Sequence, residues 1–467
     1  MPEISSPVRA SLSRRRLPRP ADETSYYSCG ITFLDPVPDL LDGNAIITAP
    51  SVLATLGTQV WGIAADGAAR VVLRIPAHNV GERFQVTLSD DGWLSSVNGS
   101  EVTTQFTAVS AAGTAMAFAV YHAPPDFSRG GDEDNLPSRQ VNFTAASLDF
   151  PDFAAYGSLT VYRPPVVLVH GLWGGPADWN GFTPFLTDAR FFIGVPCTPW
   201  GGDDESSICV TSGQVAYNYS VAISASSPGY DQETLANSRA NSLGFAFNAW
   251  TVLRQIKAQI KLFRQTNQAA ATRVDVVAHS MGGMVTCTLL GLPDYTGTDS
   301  FGQGNIHKLI TIGTPHLGSP LATHLIKDSN PCVRNVLAHR GRPSYYTATV
   351  SGVASPPSGT CGANSEGSCG GVGDLQGDGV GGYWSIAISN LASIQNAVPT
   401  AMIAGSATSS NLASLDSSLS FGAWYIRSHC PGNQLAASLT SQGWPTTISS
   451  RASPTMASCL SAASSTT

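Results

Sequence analysis

The chain has 467 residues, 12% of them charged, and a formal net charge of −7. That length fits two or three domains rather than one, and 42% hydrophobic residues suffice for sizeable cores. An acidic balance without a basic stripe speaks against a nucleic-acid partner. Low charge with many apolar residues speaks against disorder throughout, and no stretch approaches the roughly 18 to 20 apolar residues of a membrane helix.

The first twenty residues, "MPEISSPVRASLSRRRLPRP", are basic and Pro-rich and lack an apolar core. They do not read as an intact secretory signal, and residues 1–45 are expected to form a poorly ordered tail. Residues 46–155 read as a β-sandwich. "ARVVLRIP" (Ala69–Pro76), "RFQVTLS" (Arg83–Ser89), "TAMAFAVYH" (Thr114–His122) and "RQVNFTA" (Arg139–Ala145) are rich in strand formers, and Gly, Asp, Asn and Pro punctuate them. Short strands at this spacing predict a small antiparallel sandwich. The sequons at Asn98, Asn142 and Asn218 matter only in a eukaryotic secretory setting.

The pattern changes at "RPPVVLVHGLWGGPADW" (Arg163–Trp179). Val166–Val169 is a continuous apolar run, as expected for a strand buried on both faces. A strand at Gln214–Ile223 and a long helix from about Ser242 to Thr266 follow. On that helix Trp250, Leu253, Ile256, Ile260 and Phe263 recur at helical spacing, with Lys257, Lys261 and Arg264 between them. Strands are then predicted at Arg273–Ala278, Lys308–Thr314 and Val398–Gly405, with a helix after Ser280. Alternating strands and helices predict a mainly parallel sheet with helices on both faces, so 156–430 is read as an α/β domain. Irregular insertions fall near 197–228 and 327–382, and a Ser/Thr/Ala-rich tail occupies 431–467.

Nine cysteines are present. Cys197 and Cys209 flank "TPWGGDDESSI", and Cys361 and Cys369 flank a Gly/Ser-rich loop. Disulfides closing these loops would imply an oxidising compartment, hence an extracellular or envelope-associated protein; buried free thiols are the alternative. Neither group has zinc-site spacing. The acidic loops "GGDEDN" (Gly130–Asn135) and "GGDDE" (Gly201–Glu205) read as solvated turns, so neither metal nor cofactor is expected.

The chemistry centres on "VDVVAHSMGGMV" (Val274–Val285). A strand runs into Ser280, and small residues stand two before it (Ala278) and two after it (Gly282). A strand-to-helix turn that exposes a serine hydroxyl is strained and rejects large neighbours. The following helix N-terminus favours a developing oxyanion. "LVHGLWGG" ends an earlier buried strand, so the backbone N–H groups of Leu172 and Met281 are the expected oxyanion donors, each worth on the order of 3 kcal/mol in the transition state.

Three segments, "VVLVHGLWGG", "VDVVAHSMGGMV" and "KLITIGTPHLGSPLA" (Lys308–Ala322), together resemble α/β-hydrolase-fold lipases and esterases, in particular the bacterial lipase group similar to GPI inositol-deacylases. The resemblance runs from about Pro164 to Gly405 and leaves out the sandwich, which itself resembles a bacterial immunoglobulin-like module. It implies an α/β-hydrolase fold and ester hydrolysis by a Ser-His-Asp triad in the chain order nucleophile, acid, histidine. Family members carry an Asp-Gly-Val/Ile-Val-type segment for the acid, and this sequence has none. Beyond Gly405 stand one acid, Asp416, and one histidine, His429. These take the places of acid and base; Asp374 and Asp378 are alternative acids or a fragment of a calcium loop, though without a full ligand set they read as a solvated turn. A divergent or frame-shifted ending would also explain the missing segment, which the other two reading frames of the coding DNA would reveal. His170 and His316 read as loop-shaping, His279 is expected to point away from the Ser280 hydroxyl, and His307, His324 and His339 precede the last strand. Trp173 and Leu317 are expected beside an acyl pocket, with the two loop insertions as a lid.

The expected activity is therefore carboxylic-ester hydrolysis by a monomer acting on an acyl ester or lipid, with transient contact to a lipid surface. Amide hydrolysis or acyl transfer by the same serine, and an inactive hydrolase fold used for binding, are the alternatives.

Overall fold

The computed structural model describes residues 30–36, 57–97, 101–172, 179, 181–193, 210–211, 214–215, 245–319, 322–323, 370–377 and 385–403. Their strands form three six-stranded sheets.

The first sheet contains β1 (Thr32–Asp35), β2 (Thr58–Gln59), β4 (Arg70–Pro76), β6 (Trp93–Ser95), β8 (Val109–Ala111) and β9 (Thr114–His122). Its order is β2-β1-β4-β9-β6, with β8 also on β9, and every pair is antiparallel. The second contains β3 (Gly62–Ala64), β5 (Arg83–Leu88), β7 (Gln105–Thr107), β10 (Ser138–Ser147), β11 (Ala154–Tyr162) and β15 (Ala269–Ala270), in the order β15-β3-β11-β10-β5-β7. Period-two alternation drives both sheets. Along β10, for example, Val141, Phe143 and Ala145 are buried while Gln140 and Asn142 face out. Val71, Leu73 and Ile75 of the first sheet share one core with Phe84, Val86, Val141, Leu159 and Val161 of the second. Tyr121 meets Phe143 edge-on at 5.1 Å across that core.

The second sheet is mixed. β3 pairs parallel with β11 and with β15, and the other pairs are antiparallel. The edge strand β15 comes from residues 269–270, so the two sheets are not built from the N-terminal region alone. β1 lies within the stretch expected to be a tail, and β11 spans the expected boundary at 155/156.

The third sheet contains β12 (Val166–Val169), β13 (Val210–Thr211), β14 (Gln214–Val215), β16 (Val274–His279), β17 (Ile306–Ile312) and β18 (Thr400–Ile403), in the order β13-β14-β12-β16-β17-β18. All pairs are parallel except the β13–β14 hairpin. All four residues of β12 are buried, as a strand covered on both faces requires. Besides a single turn at Thr183–Leu186 and short 3-10 turns, the described helices are α1 (Phe245–Asn267), α2 (Met281–Leu289), α3 (Gly370–Asp374) and α4 (Ile386–Leu391). On α1, Leu253, Ile256, Ile260 and Phe263 are buried against the sheet. Between them Lys257 pairs with Asp299 at 3.1 Å, and Arg264 reaches Asp35 at 2.6 Å. Among the described residues, no helix is long and apolar enough to cross a membrane.

The two-sheet region and the parallel sheet are joined through Asp66, which is fully buried between β3 and β4. Its Oδ1 accepts from the backbone N–H groups of Ala68 and Ala69 at 2.9 and 2.7 Å. Its Oδ2 accepts from Thr272 N at 2.8 Å, Thr272 Oγ1 at 3.1 Å and Arg273 N at 3.0 Å. One carboxylate thus ties the loop after β3 to the entry of β16. Hydrogen bonds to a charged, buried acceptor are the strong class, and removing the acceptor strands its donors. Asp66→Ala is expected to cost about 3 kcal/mol of stability or more, read as a lowered urea midpoint at an unchanged slope. An unchanged midpoint would show that the joint does not depend on this carboxylate.

Candidate functional site

β16 delivers Ser280 directly. The Ser280 N–H still donates to Ile312 O at 2.9 Å, continuing the ladder with β17 by one residue. The chain then turns at φ 53°, ψ −128° and enters α2. A non-glycine residue at positive φ is strained and persists only where its surroundings hold it. Serine is a favoured N-cap residue because its oxygen accepts from the first helical turn. Here the Ser280 side chain makes no such bond, so its hydroxyl is not spent on capping.

The small neighbours follow from close packing. A Cβ on Gly282 would collide with the carbonyl oxygens of Val169 and His170, and one on Gly283 with the Thr314 side chain. Ala278 is fully buried. Register supplies the other wall. Val169 pairs with Ala278, so the residues after β12 lie alongside those after β16. A Cβ placed on Gly171 would sit 2.8 Å from Ser280 Cβ and 3.3 Å from its Oγ. From β12 the chain passes to β14 on one side and returns to β16 on the other. Ser280 and Gly171 therefore stand at the carboxyl ends of strands at a topological switch point, where open α/β sheets form their ligand crevice.

The expected site residues divide as follows. Ser280 is half-buried at this turn, and Met281 is fully buried at the start of α2. Leu172 is half-buried and packs against the core under the parallel sheet. Leu317 is half-buried, two residues beyond Pro315 on the segment that follows β17. Trp173, Asp378, Asp416, His324, His339 and His429 lie outside the described residues, as does most of the two loop insertions. His170 is buried, its Nδ1 2.9 Å from Gly171 O. His316 Nε2 meets Thr311 Oγ1 at 3.2 Å, and burial holds its pKa below the ordinary value. His279 is exposed, and its Nδ1 lies 3.1 Å from the same hypothetical Gly171 Cβ that the Ser280 Oγ approaches. The structure thus gathers His279, Ser280 and Gly171 at one point. Among the described residues, no cluster of three or more His, Cys, Asp or Glu is arranged to hold a metal ion.

Two further features bear on this end of the sheet, the first of them, Cys287, not singled out from the sequence. Cys287, buried one helical turn beyond Met284 on α2, is disulfide-bonded to a partner outside the described residues. The bond anchors the helix that follows Ser280. The second feature is Asp374, the last residue of α3. Its Oδ2 accepts the Phe245 N–H at 2.7 Å, at the N-terminus of α1, and its carbonyl accepts from Ser385 Oγ at 2.6 Å. α1 runs back along the sheet into β16, so its N-terminus lies at the Ser280 end. Next to Asp374, Leu375 O accepts from Ser319 N at 2.7 Å, and Gly377 N donates to Thr323 Oγ1 at 2.9 Å. Asp374 therefore ties three elements together around that end rather than facing Ser280 in any described contact. Burial pushes its carboxyl up to about 7, against the lowering effect of the Phe245 N–H.

A parallel sheet with a strained serine between strand and helix at its switch point defines an α/β-hydrolase-like unit. Residues 241–342 match the family model described as the PGAP1-like alpha/beta domain, so this part of the chain is similar to α/β-hydrolase lipases and esterases of the GPI inositol-deacylase-like kind. The match spans less than half of the chain. No curated protein matches it. Among solved structures, the mature form of the lipase BlEst2 from Bacillus licheniformis is 15% identical with a TM-score of 0.19, over 38% of this chain and 51% of the lipase. A 2,6-sialyltransferase from Photobacterium sp. JT-ISH-224 is 9% identical with a TM-score of 0.19, over 79% of this chain and 60% of that protein. The chain thus spans about half the length of that lipase, and overlaps this slight carry no argument.

Two outcomes follow from the anchors. The Asp374 carboxyl titrates higher when folded than the ordinary unfolded value near 4, so the folded state binds the proton more tightly. Stability should fall as pH rises from about 4 to about 7 and then level off. Asp374→Asn does not titrate, so its thermal midpoint should gain on wild type across that window; parallel profiles would contradict the assignment. Opening the Cys287 disulfide should cost about 2–4 kcal/mol, measured by urea unfolding with and without reductant, while Cys287→Ala should show no reductant dependence from this bond.

Proposed function

We propose that the chain is a serine carboxylic-ester hydrolase of the lipase or esterase kind, with Ser280 as nucleophile. The observation that carries the reading is the strained turn at Ser280, whose hydroxyl does not cap its own helix and which faces Gly171 across the switch point. A serine held at φ 53° costs stability and needs a reason. Nucleophilic attack supplies one.

In the proposed reaction the Ser280 Oγ attacks the acyl carbonyl carbon while its proton passes to a histidine base. The carbonyl π electrons move to oxygen, and the N–H groups of Leu172 and Met281 receive that oxyanion, with the α2 N-terminus adding its dipole. Collapse breaks the ester C–O bond, and the histidine returns the proton to the departing alcohol. Water then repeats the sequence on the acyl-enzyme and releases the acid. His429 is proposed as the base and Asp416 as the acid that orients it. Trp173 and Leu317 are proposed to line the acyl pocket.

An acyl ester or lipid is the proposed substrate class. The Cys287 disulfide supports an oxidising, extracellular or envelope location. The two-sheet region is proposed to serve as an accessory module of immunoglobulin-like kind.

Labelling with a fluorescent fluorophosphonate tests the reading. Wild type should label and Ser280→Ala should not, with identical circular dichroism. Folded wild-type protein that fails to label would overturn the proposal. Gly171→Ala is expected to keep the fold and reduce kcat on p-nitrophenyl esters on the order of a hundredfold, because the added methyl crowds the Ser280 Oγ. Unchanged turnover would show that attack does not depend on the space between Gly171 and the Ser280 hydroxyl.

A further inference from the structure

β16 and β17 run parallel, and their ladder slips once. Val274 pairs with Ile306, but Asp275 pairs with Lys308, so His307 is an extra residue in β17. Consecutive side chains of an unbroken strand point to opposite faces. A bulge re-aims them, and bulges are rare between parallel strands. Here His307 and Lys308 both reach the same turn of the two-sheet region, the one that follows β9. His307 Nε2 lies 2.8 Å from Pro125 O, and Lys308 pairs with Asp126. The other ring nitrogen, Nδ1, lies 2.7 Å from Asp275 Oδ1. His307 itself is buried.

Both partners of this ring are acceptors. A neutral imidazole has one N–H and would turn a lone pair toward either the carbonyl or the carboxylate. Only the imidazolium donates to both. We propose that His307 is a protonated latch that holds the turn after β9 onto the parallel sheet and loses its grip as pH rises.

The charged groups around the ring agree with this. Asp275 faces it from β16, Asp66 acts from the loop after β3, Asp126 stands on the turn, and Lys308 follows on its own strand. Burial alone would lower the His307 pKa. The hydrogen bond and charge of Asp275, the Pro125 carbonyl and the charge of Asp66 outweigh it and raise the pKa above the ordinary value. A histidine with a raised folded pKa contributes stability that is fully present below the unfolded value of about 6.5 and is lost as pH rises through the folded one. The latch is therefore closed in mild acid and weakens toward alkaline pH.

The test uses the full chain with 15N-labelled histidine. Long-range 1H–15N spectra of wild type at pH 6 should show both His307 nitrogens protonated, with His307→Gln identifying the signal. Hydrogen exchange over residues 123–128, compared at equal pH, should be faster in His307→Gln at pH 6. The ratio should be about tenfold for each unit by which the folded pKa exceeds 6.5 and should shrink toward one at pH 9. Should His307→Gln not fold, Asp275→Asn assigns the signal and replaces it in the exchange comparison. A neutral His307 ring at pH 6, or an exchange ratio that is the same at pH 6 and pH 9, overturns the proposal.

Discussion

The close approach of two parallel strand ends governs the rest of this structure. β12 and β16 pair through Val169 and Ala278, so the chain leaving β12 must pass the turn at Ser280 at backbone contact distance. That leaves no room for side chains at Gly171 and Gly282, while the Thr314 side chain beyond β17 leaves none at Gly283. The same approach holds Ser280 in a backbone conformation it would not keep alone. Strain at one residue is thus maintained by packing at three others, and it persists because the core beneath is dense. Val167, Val169, Val276, Ala278, Met281 and Met284 are all buried in one cluster. A core that close-packed transmits displacement instead of absorbing it.

Much of this was legible in sequence because it is written locally. Val166–Val169 announced a two-sided buried strand by having no polar residue. Ala278, Gly282 and Gly283 announced a tight turn by their size. The helix at 245–267 followed from its 3.6-residue spacing, and β4, β5, β9 and β10 from strand-forming residues set between turn residues. What escaped was non-local. β15 is two alanines after a helix, and nothing in "AA" reveals that it completes the edge of a distant sheet. Asp66 sits in "AADGAA", which reads as an ordinary turn, yet its second oxygen serves residues some two hundred positions later. Cys287 looked like another small residue on an apolar helix. The acid and histidine of the expected triad rest on chain order alone, because this sequence lacks the family segment that would mark them; Asp416 and His429 lie outside the described residues.

Among the described residues, the two-sheet region grips the parallel sheet at the end opposite Ser280. Thr272, Arg273, Asp275 and His307, which carry the grip, lie at or before the amino ends of β16 and β17. Ser280 and Gly171 lie at the carboxyl ends. Five residues separate Asp275 from Ser280, about 16 Å of extended chain. β16 is therefore a shared rod, clamped at its base and loaded with the strained turn at its tip.

This geometry separates two kinds of pH effect. Loosening the base of β16 lowers the stability of the assembly, but it changes no group within reach of the Ser280 hydroxyl. The chemistry at the tip responds instead to the protonation of whichever histidine serves as base. An activity profile measured well below the unfolding temperature should thus follow the base, and one measured near it should also carry the imprint of His307. Asp374 belongs with the stability effects. From the end of α3 it binds the N-terminus of α1 and the Ser385 hydroxyl ahead of α4, and its carboxyl titrates near neutrality from inside the core. His307 loses its contribution as pH rises, and Asp374 becomes costlier over a window that ends near neutrality. Both act in the same direction, so these two groups favour the acid side of neutrality, whichever pH suits the chemistry at the tip of β16.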